Sequence, residues 1–301
     1  MQKNKFRNCL QILPVLFFMA FVSASCIKDD LSGCPSPHVS GVTLQVKAFD
    51  ADGNPLDGGT IKDITLYVFN ADKTLLDILH VSLSELVTLD YPGHDNLKLV
   101  AWGNGRQGGQ TLPALRQGDH LETAFVSLIQ PQTRITYPVA GSPDDLFYGT
   151  IDIQTSADAL SARELPLRRK VSGVAVTARR LKEYVGSSDG DFHYILRKTG
   201  SMLDFYGLPN GTDVSYRPGA SFNDRGDFVS STFNILPTDE ELRIDIYHRG
   251  VLRTTVISDS NGKPLRVAEG RLLNVLVDFD GAINVEIKVT DWGKEEIWKE
   301  F

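Results

Sequence analysis

The feature that most constrains this chain is a period of two. Residues 283–290, Ile283-Asn284-Val285-Glu286-Ile287-Lys288-Val289-Thr290, alternate apolar and polar without a fault, and Val42-Thr43-Leu44-Gln45-Val46-Lys47-Ala48 does the same near the other end. Successive side chains of an extended chain point to opposite faces, so such a run buries one face and wets the other. Ile64-Thr65-Leu66-Tyr67-Val68-Phe69 and Leu97-Lys98-Leu99-Val100-Ala101-Trp102 are more continuously apolar strands, and further strands are expected at 171–178, 242–247, 251–257 and 272–279. Long amphipathic helical windows are absent. Short helices fit only near 82–87 and 118–127.

Turn residues punctuate these runs. Asp50-Ala51-Asp52-Gly53-Asn54, Asn70-Ala71-Asp72-Lys73 and Ser258-Asp259-Ser260-Asn261-Gly262 each follow a strand. Asn, Asp and Gly tolerate left-handed backbone and close tight reversals, so each reads as a hairpin. Many strands with few helices indicate an all-β chain built of sandwiches. The chain has 301 residues, and at roughly 150 residues per domain that is about two bodies. The break is placed in the Ala- and Ser-rich stretch ahead of Pro166, giving sandwiches at 36–160 and 161–301. The Gly- and Gln-rich residues 103–120 are then a long loop of the first.

The N-terminus is an address. Lys3, Lys5 and Arg7 precede the apolar run Leu10 to Val22, which is signal-peptide length and short of the ~20 residues a spanning helix needs. Ser23-Ala24-Ser25 then leads into Cys26, which looks like a bacterial lipobox with Ser23 where Leu is usual. Residues 1–25 are therefore expected to be a lipoprotein signal peptide, and Cys26 the lipidation site that opens a linker over 26–35. Lys28, Asp29 and Asp30 resemble the surface-export signal of Bacteroidota-type lipoproteins. One acyl chain binds a membrane only marginally and two or more hold stably, so a fully acylated Cys26 is a durable tether. The other cysteines are Cys9, inside the removed segment, and Cys34. With Cys26 acylated, no internal disulfide forms, and Cys34 reads as a small buried or linker residue.

Charge excludes one class of partner. The net charge is −7, and the first 25 residues carry three cations and no acid. The remainder is thus more acidic still, which argues against a nucleic-acid-binding surface.

Catalytic patterns are missing. His38, His80, His94, His120, His193 and His248 are scattered without metal-ligand spacing, and read as surface or loop residues. Asp50-x-Asp52-Gly53-Asn54 lacks the glycine and glutamate positions of a calcium loop. Asp144 and Asp145 are adjacent, so they cannot face each other across a sugar, and they read as a turn entering a strand. No nucleophile elbow, phosphate loop or dinucleotide fingerprint occurs. The basic run Arg168-Arg169-Lys170, with Arg179-Arg180 after it, reads as the wet face of strands. No enzyme, metal or cofactor is expected beyond the covalent lipid on Cys26.

Several segments taken in order carry a resemblance. They are Cys26-Ile27-Lys28-Asp29-Asp30-Leu31-Ser32-Gly33-Cys34-Pro35, Ile64 to Phe69, Leu99-Val100-Ala101-Trp102-Gly103-Asn104, Asp145-Leu146-Phe147-Tyr148-Gly149, Pro166-Leu167-Arg168-Arg169-Lys170-Val171, Asp204-Phe205-Tyr206-Gly207 and Val289-Thr290-Asp291-Trp292. The chain resembles the FimB-type fimbrial anchoring family, lipoproteins at the base of Bacteroidales fimbriae. The resemblance implies two transthyretin-like β-sandwich domains in tandem and a lipid-anchored place in the outer membrane. It further implies a fimbrial shaft subunit and outer-membrane lipid as partners, an end to shaft polymerisation that sets fimbrial length, and no catalysis. Related shaft subunits join by strand exchange after cleavage at an Arg. An uncut anchor is expected to keep its own groove full, and the alternating Ile283, Val285, Ile287 and Val289 form a candidate shaft-contact strand and equally a candidate core strand. The competing reading is a surface glycan-binding lipoprotein. Its platform would need exposed aromatic rings, and the chain has only Trp102, Trp292 and Trp298 as tryptophans.

Overall fold

The computed structural model describes residues 41–130, 139–155, 162–294 and 298. Cys26, Lys28, Asp29, Asp30 and Cys34 lie outside the described residues.

The chain is all-β, as the alternation requires, and its strands form three sheets. The first holds β1 (Gly41–Phe49), β2 (Ile64–Asn70), β3 (Leu75–Val81), β4 (Leu86–Asp90), β5 (Asn96–Gly103), β9 (Phe147–Gln154) and β10 (Arg163–Arg169), in the order β3-β2-β5-β9-β10-β1-β4. β9 and β10 pair through only two residue pairs, Tyr148 with Arg168 and Phe147 with Arg169. The sheet folds back there, and its two end strands approach one another. Tyr91, just past β4, donates its hydroxyl to Asp77 of β3 at 3.0 Å. Leu44, Val46, Leu66, Leu99, Leu165 and Leu167 fill the space enclosed.

The second sheet runs β14-β15-β11-β19-β20, with β16 also on β11. Its members are β11 (Ser172–Arg179), β14 (Ala220–Phe222), β15 (Phe228–Ser230), β16 (Phe233–Ile235), β19 (Arg271–Asp280) and β20 (Ala282–Asp291). The third runs β18-β17-β12-β13-β8, and β7 joins β12 while β6 joins β7. It comprises β6 (Gln110–Thr111), β7 (Phe125–Leu128), β8 (Val139–Ala140), β12 (Phe192–Asp204), β13 (Pro209–Tyr216), β17 (Arg243–His248) and β18 (Val251–Val256). Val174, Val176, Leu273 and Val275 of the second sheet share one core with Tyr194, Leu196, Ile244 and Ile246 of the third.

That core continues into the first sheet. Tyr67, Phe69, Val100 and Trp102 belong to it, while Ile64, Leu66, Val68, Leu99 and Ala101 face the other core. β2 and β5 are therefore covered on both faces. This is why their sequences are nearly continuous in apolar residues, whereas β1 alternates.

Topology departs from a simple tandem. β6, β7 and β8 belong to the sheet built on β12, and the chain then returns to the first sheet for β9 and β10. The division drawn at 160/161 falls between those last two strands, both members of the first sheet. Of the three expected hairpins, only 70–74 joins long paired strands, β2 and β3. The turns at 50–54 and 258–262 close on single bridges, Phe49 with Pro55 and Ser258 with Pro264, because their strands pair elsewhere. The helix considered at 118–127 is a single 3-10 turn at Leu121–Thr123. A short helix that the sequence does not suggest, α1, spans Leu181–Val185 and ends on Gly186 in the left-handed region.

Candidate functional site

The segments that carry the resemblance meet at the seam between the first sheet and the other two. Trp102 of β5 lies opposite Tyr148 of β9, and their rings are 4.8 Å apart. Both rings face the turn 204–208. Asp204 closes that turn by accepting the backbone N–H groups of Tyr206 and Leu208 at 2.9 and 2.8 Å. The turn thrusts Phe205 into the first sheet, edge-on to Tyr67 at 4.8 Å and beside Trp102 at 6.0 Å. Tyr148 donates its hydroxyl to the Phe205 carbonyl at 3.1 Å. Burial pushes the Tyr148 phenol well above its ordinary value and that of Tyr67 up to about 12. Gly207 adopts φ +76 with the Tyr148 ring where a Cβ would sit, so only glycine fits on both counts.

A second knot lies beside the first, where Phe147 and Arg169 pair next to Tyr148 and Arg168. Arg169, 6% exposed, forms a bidentate pair with Asp145, Nε to Oδ1 at 2.5 Å and Nη2 to Oδ2 at 2.8 Å. Its guanidinium lies 4.8 Å from the Phe147 ring and 4.3 Å from the Trp292 ring. Such a planar cation between rings suits arginine rather than lysine. Asn104 extends the knot. Its amide donates to the Thr60 and Asp145 carbonyls at 3.0 and 2.9 Å, and its side-chain oxygen accepts Lys62 N–H at 2.7 Å. Arg271 pairs with both Asp52 and Asp291, tying the 50–54 turn to β19 and β20. These are positioning contacts, and they join one sheet to the others.

Several single residues differ from what the sequence suggests. Arg169 is not a wet-face cation, because Asp145 and two rings bury it. His248 is not a surface residue either: it is buried, donates Nε2–H to the Asp189 carbonyl at 2.7 Å and stacks 4.3 Å from Phe192. Asp144 accepts the Gly109 N–H, and Asp50 accepts those of Asp52 and Asn54, so both acids work inside loops. Among the described residues, no group of three or more His, Cys, Asp and Glu is placed to hold a metal.

The candidate strand residues all lie on β20, an edge of the second sheet. β20 pairs antiparallel with β19 along its full length, Arg271 with Asp291 through Asp280 with Ala282. Val285 and Ile287 pack on the core, while Ile283 and Val289 at either end are exposed. The outer side of β20 is engaged at its middle by Ser260, which donates N–H to Val285 O at 2.9 Å and accepts Val285 N–H on Oγ at 2.7 Å.

The outer face of the third sheet carries a polar network that the sequence alone does not suggest. Arg197 and Arg243 are directly opposed across β12 and β17, and both donate to Asp245, at 2.7 and 2.9 Å. Thr255 adds a third bond at 2.7 Å. Burial alone would raise the Asp245 carboxyl, but these three donors outweigh it and hold it below the usual carboxylate value. The signal in the sequence is the alternation Arg243-x-Asp245 opposite Arg197, legible only once the register is known.

The described residues form an all-β fold of three sheets, and the comparisons define its class as that of the fimbrial anchor proteins. Residues 31–298 match the family of fimbrillin-A associated anchor proteins Mfa1 and Mfa2, and the chain belongs to that family. It is similar to the major fimbrium anchoring subunit FimB of Porphyromonas gingivalis, strain W83, at 27% identity over 95% of this chain and 96% of the relative. A second Porphyromonas gingivalis FimB is 28% identical over 92% and 93%. Among solved structures, the fimbrial anchor protein Mfa2 from Porphyromonas gingivalis shares the fold with a TM-score of 0.61 and 18% identity, over 84% of this chain and 97% of that one. A polysaccharide-binding candidate from Bacteroides thetaiotaomicron does so with a TM-score of 0.65 and 17% identity, over 84% and 96%.

Proposed function

We propose that this chain is an outer-membrane lipoprotein that anchors a fimbrial shaft to the cell surface and ends its polymerisation, thereby limiting fimbrial length. The observation that carries the reading is the family match across 31–298, joined to likeness with FimB over nearly the whole chain. In this reading Cys26 carries the acyl chains, and Lys28, Asp29 and Asp30 direct the protein to the outer leaflet. The stretch from Cys26 to Gly41 reaches at most about 50 Å, so the first strand stays close to the membrane. The seam suits an anchor, since a link under tension needs its bodies joined by more than a peptide, and two aromatic-polar knots supply this.

The anchor also keeps its own first strand. β1 lies between β10 and β4 with every second residue buried. Residues 27–105 contain no arginine, so an Arg-specific protease has no place to release β1. A filled groove accepts no further subunit by strand exchange, which stops growth at the base. The three tryptophans weigh against the glycan-binding reading: Trp102 and Trp298 are buried, and Trp292 is stacked on Arg169.

The test is retention of fimbriae by cells carrying Cys26→Ala. The expected result is fimbriae shed into the medium and longer than those of the parent. Fimbriae that stay attached at normal length would overturn the reading.

A further inference from the structure

Edge strands are where a β-protein can take on another chain, and folded proteins normally shorten, cover or charge them. The edges here differ. In the first sheet, β4 has five residues, and β3 is covered at its start by the loop before β7, with Leu75 N–H on Asp119 O at 2.8 Å and Gly118 N–H on Leu75 O at 3.0 Å. In the second, β14 has three residues, and β20 is held at its middle by Ser260. In the third, β8 has two residues. β18 has six, and among the described residues no strand or turn pairs with its outer side. The Tyr184 hydroxyl reaches its backbone only at long range, 3.5 Å from Arg253 O.

Apolar side chains gather at this same edge. Val251, Leu252 and, just beyond the strand, Ile257 are 53%, 43% and 56% exposed. Tyr184 of α1, itself exposed, stacks at 4.4 Å on Phe279 of β19. Ile283 lies opposite Phe279 in the register, so it extends the apolar patch onto the end of β20. The run 249–257 carries Arg249 and Arg253 and no acid, although the chain as a whole is at −7. Arg253 directs Nη2 to His248 Nδ1 at 3.3 Å, back toward the start of the strand rather than across its apolar residues.

We propose that β18 is the edge on which the fimbrial shaft subunit docks, adding an extended segment with apolar residues at alternate positions and carboxylates between them. The inference rests on the anchoring function proposed above and assigns the surface that performs it. Main-chain ladder bonds along β18 supply affinity, and Leu252, which shares the outer face with Tyr247, and Ile257 receive the alternate side chains. Arg249 and Arg253 select an acidic strand and disfavour a second copy of this chain, whose own β18 would set arginine against arginine in the ladder. Addition at β18 leaves every existing ladder intact, whereas lending β20 would strip the whole of its pairing with β19.

The experiment places a photo-crosslinking amino acid at Leu252, and in a separate protein at Val289, in full-length chain expressed in fimbriated cells. The expected result is a covalent adduct with the shaft subunit from position 252 and none from 289. A companion variant, Leu252→Asp with Ile257→Asp, changes only exposed positions. It should be exported and folded, yet retain fimbriae about tenfold less well, the size of effect expected from losing one or two central contacts. An adduct from 289 but not 252, an adduct only between two copies of this chain, or normal retention by a folded double variant would each overturn the assignment. If deletion of the whole chain leaves fimbriae attached, the anchoring reading fails. If deletion sheds them and the double variant holds them, only the β18 assignment fails.

Discussion

The first and last strands carry the same alternation and live in opposite surroundings. β1 is paired on both sides, parallel to β10 and antiparallel to β4, and Val42, Leu44, Val46 and Ala48 are buried beneath it. β20 is paired on one side, and of its alternating Ile283, Val285, Ile287 and Val289 only Val285 and Ile287 reach the core. A period of two therefore identifies a strand and its two faces, but not how many neighbours it has. The difference matters for function. A strand locked on both sides belongs to the permanent body, while edges are where partners are gained or refused.

Placing the same charge in each strand separates them most sharply. Val46→Asp puts a carboxylate in a closed apolar core and should cost about 4 kcal/mol or more, enough to lose most folded protein. Val289→Asp, at an exposed end of β20, should stay within about 0.5 kcal/mol. Urea unfolding of the two variants measures both, and equal costs would remove the distinction. Next in size is Arg169→Ala at the seam. It leaves Asp145 without its bidentate partner and takes the cation from between two rings, at about 3 kcal/mol by the same measurement. Ser260→Ala follows, at about 1 kcal/mol, since it deletes the acceptor for Val285 N–H. Amide exchange should quicken at Val285 while that of β1 is unchanged.

The smallest effect is on pH. Burial, and then the Arg217 charge, lower the His193 pKa below its ordinary 6.5, against the opposing pull of Asp191. The folded state therefore binds this proton less readily than the unfolded one. Its contribution to stability is present above about pH 6.5 and is lost as the pH falls through the lower folded value. His193→Gln should flatten that part of a thermal-melting profile.

Strand positions are legible in the sequence because alternation is local. Pairing is not, because β1 and β10 are joined across more than a hundred residues, and nothing within Gly41–Phe49 names its partner. β12 escapes a sequence reading because Lys198-Thr199-Gly200-Ser201 interrupts the apolar rhythm and the register shifts there, between Leu196 and Thr199 and again between Gly200 and Met202. Arg169 looks like a surface cation because the acid that buries it, Asp145, lies on a different segment. Asn104 gives no hint of its role, which depends on a left-handed backbone, φ +57, aiming its amide at two distant loops. The motif residues, by contrast, are legible as a set, and the structure gathers most of them into one seam.

The most direct measurement is the intact mass of the chain extracted from fimbriated cells. A lipid-tethered anchor that retains its own first strand should begin at Cys26, carry the added mass of acyl chains and still contain β1. An unacylated chain, or one whose first residue lies beyond Phe49, would contradict it.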